Sequence, residues 1–245
     1  ILKSLAHTYA NDRVKAIDYA RQLHEGIQQA ELIAAPQEIS GFEAERLHEM
    51  VVRWARSFDT FEGGTNKAPK FPLPNNWLFL LQYAQHFEEA KIEKQVRLTL
   101  DKIALGGIYD QVGGGFTRYS VDVLWKVPHF EKMLYDNGQL IGLYAKAYAR
   151  YQTPLYKDVV LQTFDFLERE LRSDLGAYFS ALDADSEGEE GKFYCWTPSE
   201  IDHLFGTQAE RVKRYYHINQ TGHWEDDKHI PLRKHTDSAF AKLEG

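Results

Sequence analysis

Short and long connections alternate between the helices of this chain, and that alternation limits what it can fold into. Apolar positions recurring every three to four residues predict helices over 11–34, 40–58, 75–90, 93–105, 130–151, 155–171 and 197–205. The first carries Val14, Ile17, Ala20 and Leu23, and the second carries Phe42, Leu47, Met50, Val51 and Trp54. Ser40 with Glu43, and Thr197 with Glu200, have capping-box spacing, and Pro154 and Pro198 suit a first helical turn. The hinges at 91–92 and 152–154 are short. The connections at 59–75, 106–129 and 173–197 are long and rich in glycines, acids and aromatics. In an antiparallel succession every second connection lies at the same end, so the three long loops should share one face. A row of α-hairpins with its chemistry at one end is the plan of an α/α toroid. The expected fold is all-α, a partial toroid with a helical segment over 1–40 and the first toroid portion over 41–245. Seven or eight helices are fewer than the twelve of a closed six-hairpin ring, so a longer parent chain is expected. One segment breaks the helical pattern. Tyr178 and Phe179 on one side, and Phe193 to Trp196 on the other, flank an acidic, glycine-containing turn, which predicts a small β-hairpin near 177–196.

Composition narrows the class. A formal net charge of -7 over 245 residues offers no basic stripe for phosphates, so no nucleic-acid partner is expected. With 43% hydrophobic residues a sizeable core is available. No apolar run reaches the roughly 18 residues of a membrane span, so no membrane partner is expected. The single Cys195 and the lack of a CxxC motif fit a reducing compartment, pointing to the cytoplasm. No HExxH or comparable zinc spacing and no nucleophile elbow occur. Gly113-Gly114-Gly115 lacks the GxGxxG pattern of a dinucleotide site. The stretch "DADSEG" (183–188) starts like a calcium loop but has Tyr194 where an EF-hand needs a glutamate. Neither metal nor cofactor is expected.

Four stretches carry a family resemblance. They are "GGIYDQVGGGFTRYSVDVLWKVPHFEKMLYDN" (106–137), "APKFP" (68–72), "DADSEGEEGKFYCW" (183–196) and "GHWEDDKHI" (222–230). Together they resemble the thioredoxin-domain-containing family related to a spermatogenesis-associated protein. That resemblance implies a thioredoxin-like domain ahead of this segment, as a partner within the full-length chain. It also implies a six-hairpin glycosidase-like toroid, similar to those of N-acylglucosamine 2-epimerases. It leaves the reaction open.

The candidate chemistry sits in and beside the long loops. His129 and Asp136 are seven residues apart, so on a helix starting at Phe130 they would lie on nearly one face, with Lys132 between them. A histidine at the pocket end suits a general acid or base. Hydrolysis of a glycoside would instead use two carboxylates, drawn from Asp110, Asp136, Asp183 and Asp185. The substrate-contacting candidates are Arg118, Tyr119, Trp125, Glu131, Trp196 and Trp224, the aromatics because flat apolar faces suit sugar rings. The competing reading for each is structural: Arg118 paired with an aspartate to brace the loop, Trp125 packed beneath it, and Cys195 as a packing residue. Two functions are expected. One is a sugar-directed enzyme, epimerase- or glycosidase-like, acting on a small carbohydrate. The other is a binding scaffold for the thioredoxin-like domain.

Overall fold

The structure, a computed structural model, describes residues 2–31, 41 and 43–245. The Ser40 cap, Phe42 and the end of the first expected helix fall outside the described residues. The chain divides into two units, 1–48 and 49–245.

In the first unit, α1 (Leu2–Asn11) and α2 (Arg13–Glu31) follow each other across Asp12. The Asp12 carboxylate accepts from the Lys15 amide at 3.1 Å, capping α2. No residue of α1 is buried.

The second unit begins within α3 (Ala44–Ala55) and is built on two α-hairpins. α4 (Pro74–His86) turns through residues 87–89 into α5 (Ala90–Leu105). α6 (Leu134–Tyr151) turns through Gln152 and Thr153 into α7 (Pro154–Phe166), which ends in a π-helical turn, Leu167–Leu171. α4 packs on α6 and α5 meets α7, so the hairpins stand side by side in two layers. Leu80, Val96, Leu100, Ile103, Leu140, Leu143, Tyr144 and Val159 fill the space between them, each at most 1% exposed. At roughly 1.5–3 kcal/mol per fully buried large apolar side chain, this seam is the main stabilising feature of the unit. Two hydroxyls pin it: Tyr144 donates to the Leu100 carbonyl and Tyr156 to Asp101, both at 2.7 Å. Beyond the hairpins lie α8 (Pro198–Phe205), α9 (Ala209–Tyr215) and α10 (Asp237–Glu244). α8 opens with the expected capping box, the Thr197 hydroxyl accepting from the Glu200 amide. Among the described residues no helix is long and apolar enough to cross a membrane.

The second hairpin's first helix starts four residues later than the sequence suggests, because 128–133 is extended. β1 (Tyr119–Ser120) pairs antiparallel with β2 (Pro128–His129), and β3 (Lys132–Met133) pairs antiparallel with β4 (Ala181–Leu182). Pro128 disfavours helix at the residue before it, and a helix beginning at Phe130 would forfeit these pairings. The β-hairpin is also smaller than expected. β5 (Asp185–Ser186) and β6 (Glu189–Glu190) pair across Glu187-Gly188, both with positive φ, while Tyr178 bridges to Arg172 and Trp196 to His229. The pairings join the three long loops: Lys70 bridges to Ser120, and β3 to β4.

Candidate functional site

Three aspartates hold the loops in shape. Asp59 accepts from the Phe61 and Glu62 amides, both at 2.9 Å, and from the wholly buried Lys70 ammonium at 2.7 Å. Burial pushes the Asp59 carboxyl up, but those amides and Lys70 outweigh it and hold the carboxyl below its usual value. Asp110 accepts from the Val112 and Gly113 amides with one oxygen and from Lys132 with the other, at 2.9 Å. Lys132 is 1% exposed; burial pushes its ammonium below the usual value against the pull of Asp110. Asp122 takes the Leu124, Lys126 and Val127 amides. Under this frame Trp125, 0% exposed, donates from Nε1 to the Glu62 carbonyl at 2.8 Å. Gly64, at φ +71 beside Gly63 at φ +69, leaves the room: a Cβ there would meet the Trp125 ring at 2.5 Å.

Turning outward from the frame, His129 is flanked by two carboxylates. Its Nδ1 is 3.3 Å from Glu190 and its Nε2 3.7 Å from Glu131, which also meets Arg118 at 3.4 Å. The His129 ring stacks on Tyr119 at 5.0 Å, and Tyr119 lies 4.8 Å from Phe71, itself 40% exposed. Together they form a stepped aromatic surface edged by Arg118 and Glu131. Asp136, in the first turn of α6, adds a carboxyl whose Oδ2 is buried and without a hydrogen-bond partner. Burial raises its affinity for a proton; Arg118 opposes this and Glu131 adds to it. The helix N-terminus would also favour the carboxylate, so burial wins against two attractions.

A cavity of about 840 Å³ lies elsewhere. Asp110, Lys132, Asp183, Asp185, Phe193 and Trp196 contribute to its lining, and neither His129, Glu131 nor Asp136 does. Side chains alternate along an extended run, which sets Lys132 on the cavity side and lets His129 and Glu131 meet on the other. For acid–base chemistry we favour the His129 surface over the cavity. Only there does a histidine face carboxylates beside an acid with raised proton affinity.

The sequence-derived candidates therefore separate into three groups. His129, Asp136, Arg118, Tyr119 and Glu131 belong to one surface, although His129 is on β2 and not on one helix with Asp136. Asp110, Asp183, Asp185 and Trp196 line the cavity, with Asp110 fully engaged by Lys132 and loop amides. Trp125 and Trp224 are packing residues. Trp125 is buried as described, and Trp224 sits 5.1 Å from Phe130 against the cluster that also holds Ala184, Cys195 and Ile230. Burial, with Glu225 adding to it, pushes the Cys195 thiol up to about 12, so it stays protonated at neutral pH. Arg118 pairs with Glu131 and not with an aspartate. The sequence gives no sign of Lys70 and Glu190, and it marks Phe71 only as one of several aromatics beside the loops. Glu190 becomes relevant only once β5 and β6 fold back.

The elements define a helical-hairpin protein with braced loops carrying a histidine–carboxylate surface. No family model matches the chain. The chain is 37% identical over 185 residues to human "Spermatogenesis-associated protein 20", covering 67% of this chain and 24% of that protein. The mouse protein of the same name is 36% identical over 185 residues. "Uncharacterized protein B0495.5" of Caenorhabditis elegans is 33% identical over 186 residues, 68% of this chain and 25% of that one. Identity at this level over so many residues is homology. The chain spans about a quarter of the length of the curated relatives it matches.

Proposed function

We propose that this chain forms part of a sugar-directed enzyme that moves a proton on and off carbon, an isomerase or epimerase, on the surface around His129. The observation that carries the reading is the pairing of unlike groups. His129 offers a nitrogen base between carboxylates, and Asp136 is a half-buried acid that binds its proton more tightly than usual. An imidazole base near an acid that holds its proton more tightly than usual suits a reaction that needs both a proton acceptor and a proton donor. In this scheme the open-chain sugar lies over the Phe71–Tyr119–His129 surface. His129 takes the proton from the carbon next to the carbonyl as Asp136 gives its own to the carbonyl oxygen. Return of the carbon's proton to the other face, as Asp136 takes its proton back from the enediol oxygen, completes epimerisation. Its delivery instead to the former carbonyl carbon, as Asp136 takes the proton of the adjacent hydroxyl, completes isomerisation. Arg118 and Glu131 orient hydroxyls. Hydrolysis is less well supported, because Asp110 is committed to Lys132 while Asp183 and Asp185 belong to the cavity, away from the surface that holds Asp136.

The side-by-side hairpins support a toroid plan, while a thioredoxin-like domain in the full-length protein rests on the family resemblance alone. A second reading, a binding scaffold for that domain, draws support from Asp59, Asp110 and Asp122, all spent on bracing loops. Calorimetric titration of the full-length protein with mono- and disaccharides separates the two. The enzyme reading expects saturable heat that a His129→Ala, Asp136→Asn double variant loses. Absence of heat with every sugar would favour the scaffold.

A further inference from the structure

The cavity on the other side of β3 has a charge pattern of its own. Each cation in its wall is already paired within the wall: Lys132 with Asp110 at 2.9 Å, Arg169 with Glu170 at 2.7 Å, and Lys192 with Glu187. The carboxylates of Asp183, Asp185 and Glu200 also line it, and among the described residues none of them has a cation within ion-pair distance. Aromatic rings complete the wall. The Lys132 ammonium lies 4.4 Å from the Phe166 ring and 4.6 Å from the Tyr194 ring, so the chain's own ammonium already occupies part of this wall by cation–π contact. Phe193, 69% exposed, and Trp196 add ring surface not used in that way. About 840 Å³ falls within the roughly 300–1,000 Å³ of small-molecule sites.

We infer that this cavity is a binding site for a small ligand carrying a primary ammonium group, held between the Asp183 and Asp185 carboxylates and the Phe193 and Trp196 rings. Unpaired carboxylates attract such a cation and repel phosphorylated or carboxylated ligands, and the rings favour a charge that sheds water. The site is separate from the His129 surface and does not depend on the reaction proposed there.

The test compares cadaverine with 1,5-pentanediol, of similar length but uncharged, by calorimetry on the full chain at low and high salt. Cadaverine is expected to bind saturably and more weakly as salt rises, with pentanediol giving no heat. An Asp183→Asn, Asp185→Asn variant should lose roughly tenfold or more of the affinity. Both positions are exposed, so this variant keeps the fold. Phe193→Ala should weaken binding while leaving the circular dichroism unchanged. Equal binding of the diol, no binding of cadaverine, or cadaverine affinity unchanged in the double Asn variant would each overturn the inference. Glucose and N-acetylglucosamine, neither of which carries an ammonium group, are titrated in parallel and keep the sugar reading distinct. If cadaverine binds and neither sugar does, the ammonium site stands and a sugar ligand for the His129 surface is disfavoured. If both sugars bind and cadaverine does not, the reverse holds.

Discussion

Asp136 is the residue at which stability and the proposed chemistry pull in opposite directions. Its raised proton affinity means that ionising it costs stability: the folded state is most favoured below the usual carboxylate value of 3.8 and loses that advantage as pH rises through the higher folded value. Asp136→Asn should therefore gain up to about 1 kcal/mol at pH 7, a modest figure because the group is only half-buried. Thermal unfolding at pH 7 and at pH 3.5 checks this, since the gain should vanish where the native carboxyl is itself neutral. The Asp110–Lys132 pair behaves differently. Lys132→Met alone should cost roughly 3–5 kcal/mol in urea unfolding, because it strands Asp110, while adding Asp110→Asn should recover part of the loss. His129 and Asp136 were legible as candidates because histidine and acid beside a glycine-rich loop are unusual. That they sit on a strand and a helix was not, because the period of "PHFEKMLYDN" reads as helix and only pairing with 119–120 and 181–182 extends its first half.

At the scale of elements, the amphipathic hairpins and the Thr197 cap were readable because their signals are local. The loop interiors were not, because Lys70 and Lys132 look like surface lysines until long-range folding buries them beside aspartates. The β-formers at 193–196 likewise gave no hint that Trp196 pairs with His229. Thr197→Ala should destabilise by about 1 kcal/mol, within the usual range for a lost N-cap, as read by thermal unfolding. Gly115 is the harsher test of how the long loop lies on α7. Its φ is +82, and a Cβ would come within 2.4 Å of the Phe166 ring. Gly115→Ala should cost roughly 2–4 kcal/mol, combining backbone strain with overpacking. An unfolding midpoint close to that of the wild type would mean that the loop does not pack there.

For the second unit as a whole, the alternation of short and long connections predicted the long loops at one end, and the structure links them through Lys70–Ser120, Trp125–Glu62 and β3–β4. Ring closure and the reaction lay beyond that pattern, since neither leaves a periodic trace in a segment of this length. The loop frame also sets acid sensitivity. The Asp59 carboxyl is held below 3.8, so its contribution is complete above that value and is lost as pH falls through the lower folded value. Acid titration of the unit should show a steepening loss of stability below pH 3.8, which Asp59→Asn flattens while lowering stability at pH 7. In the proposed reaction His129 moves a proton on and off sugar carbon while Asp136 serves the carbonyl oxygen. Incubating the full-length protein with a panel of aldoses and N-acylated amino sugars in D2O, and following carbon-bound deuterium by NMR, tests it most directly. Deuterium is expected at the carbon beside the carbonyl of at least one sugar and should be lost in His129→Gln and in Asp136→Asn. No exchange with any sugar, or exchange undiminished in both variants, would contradict it.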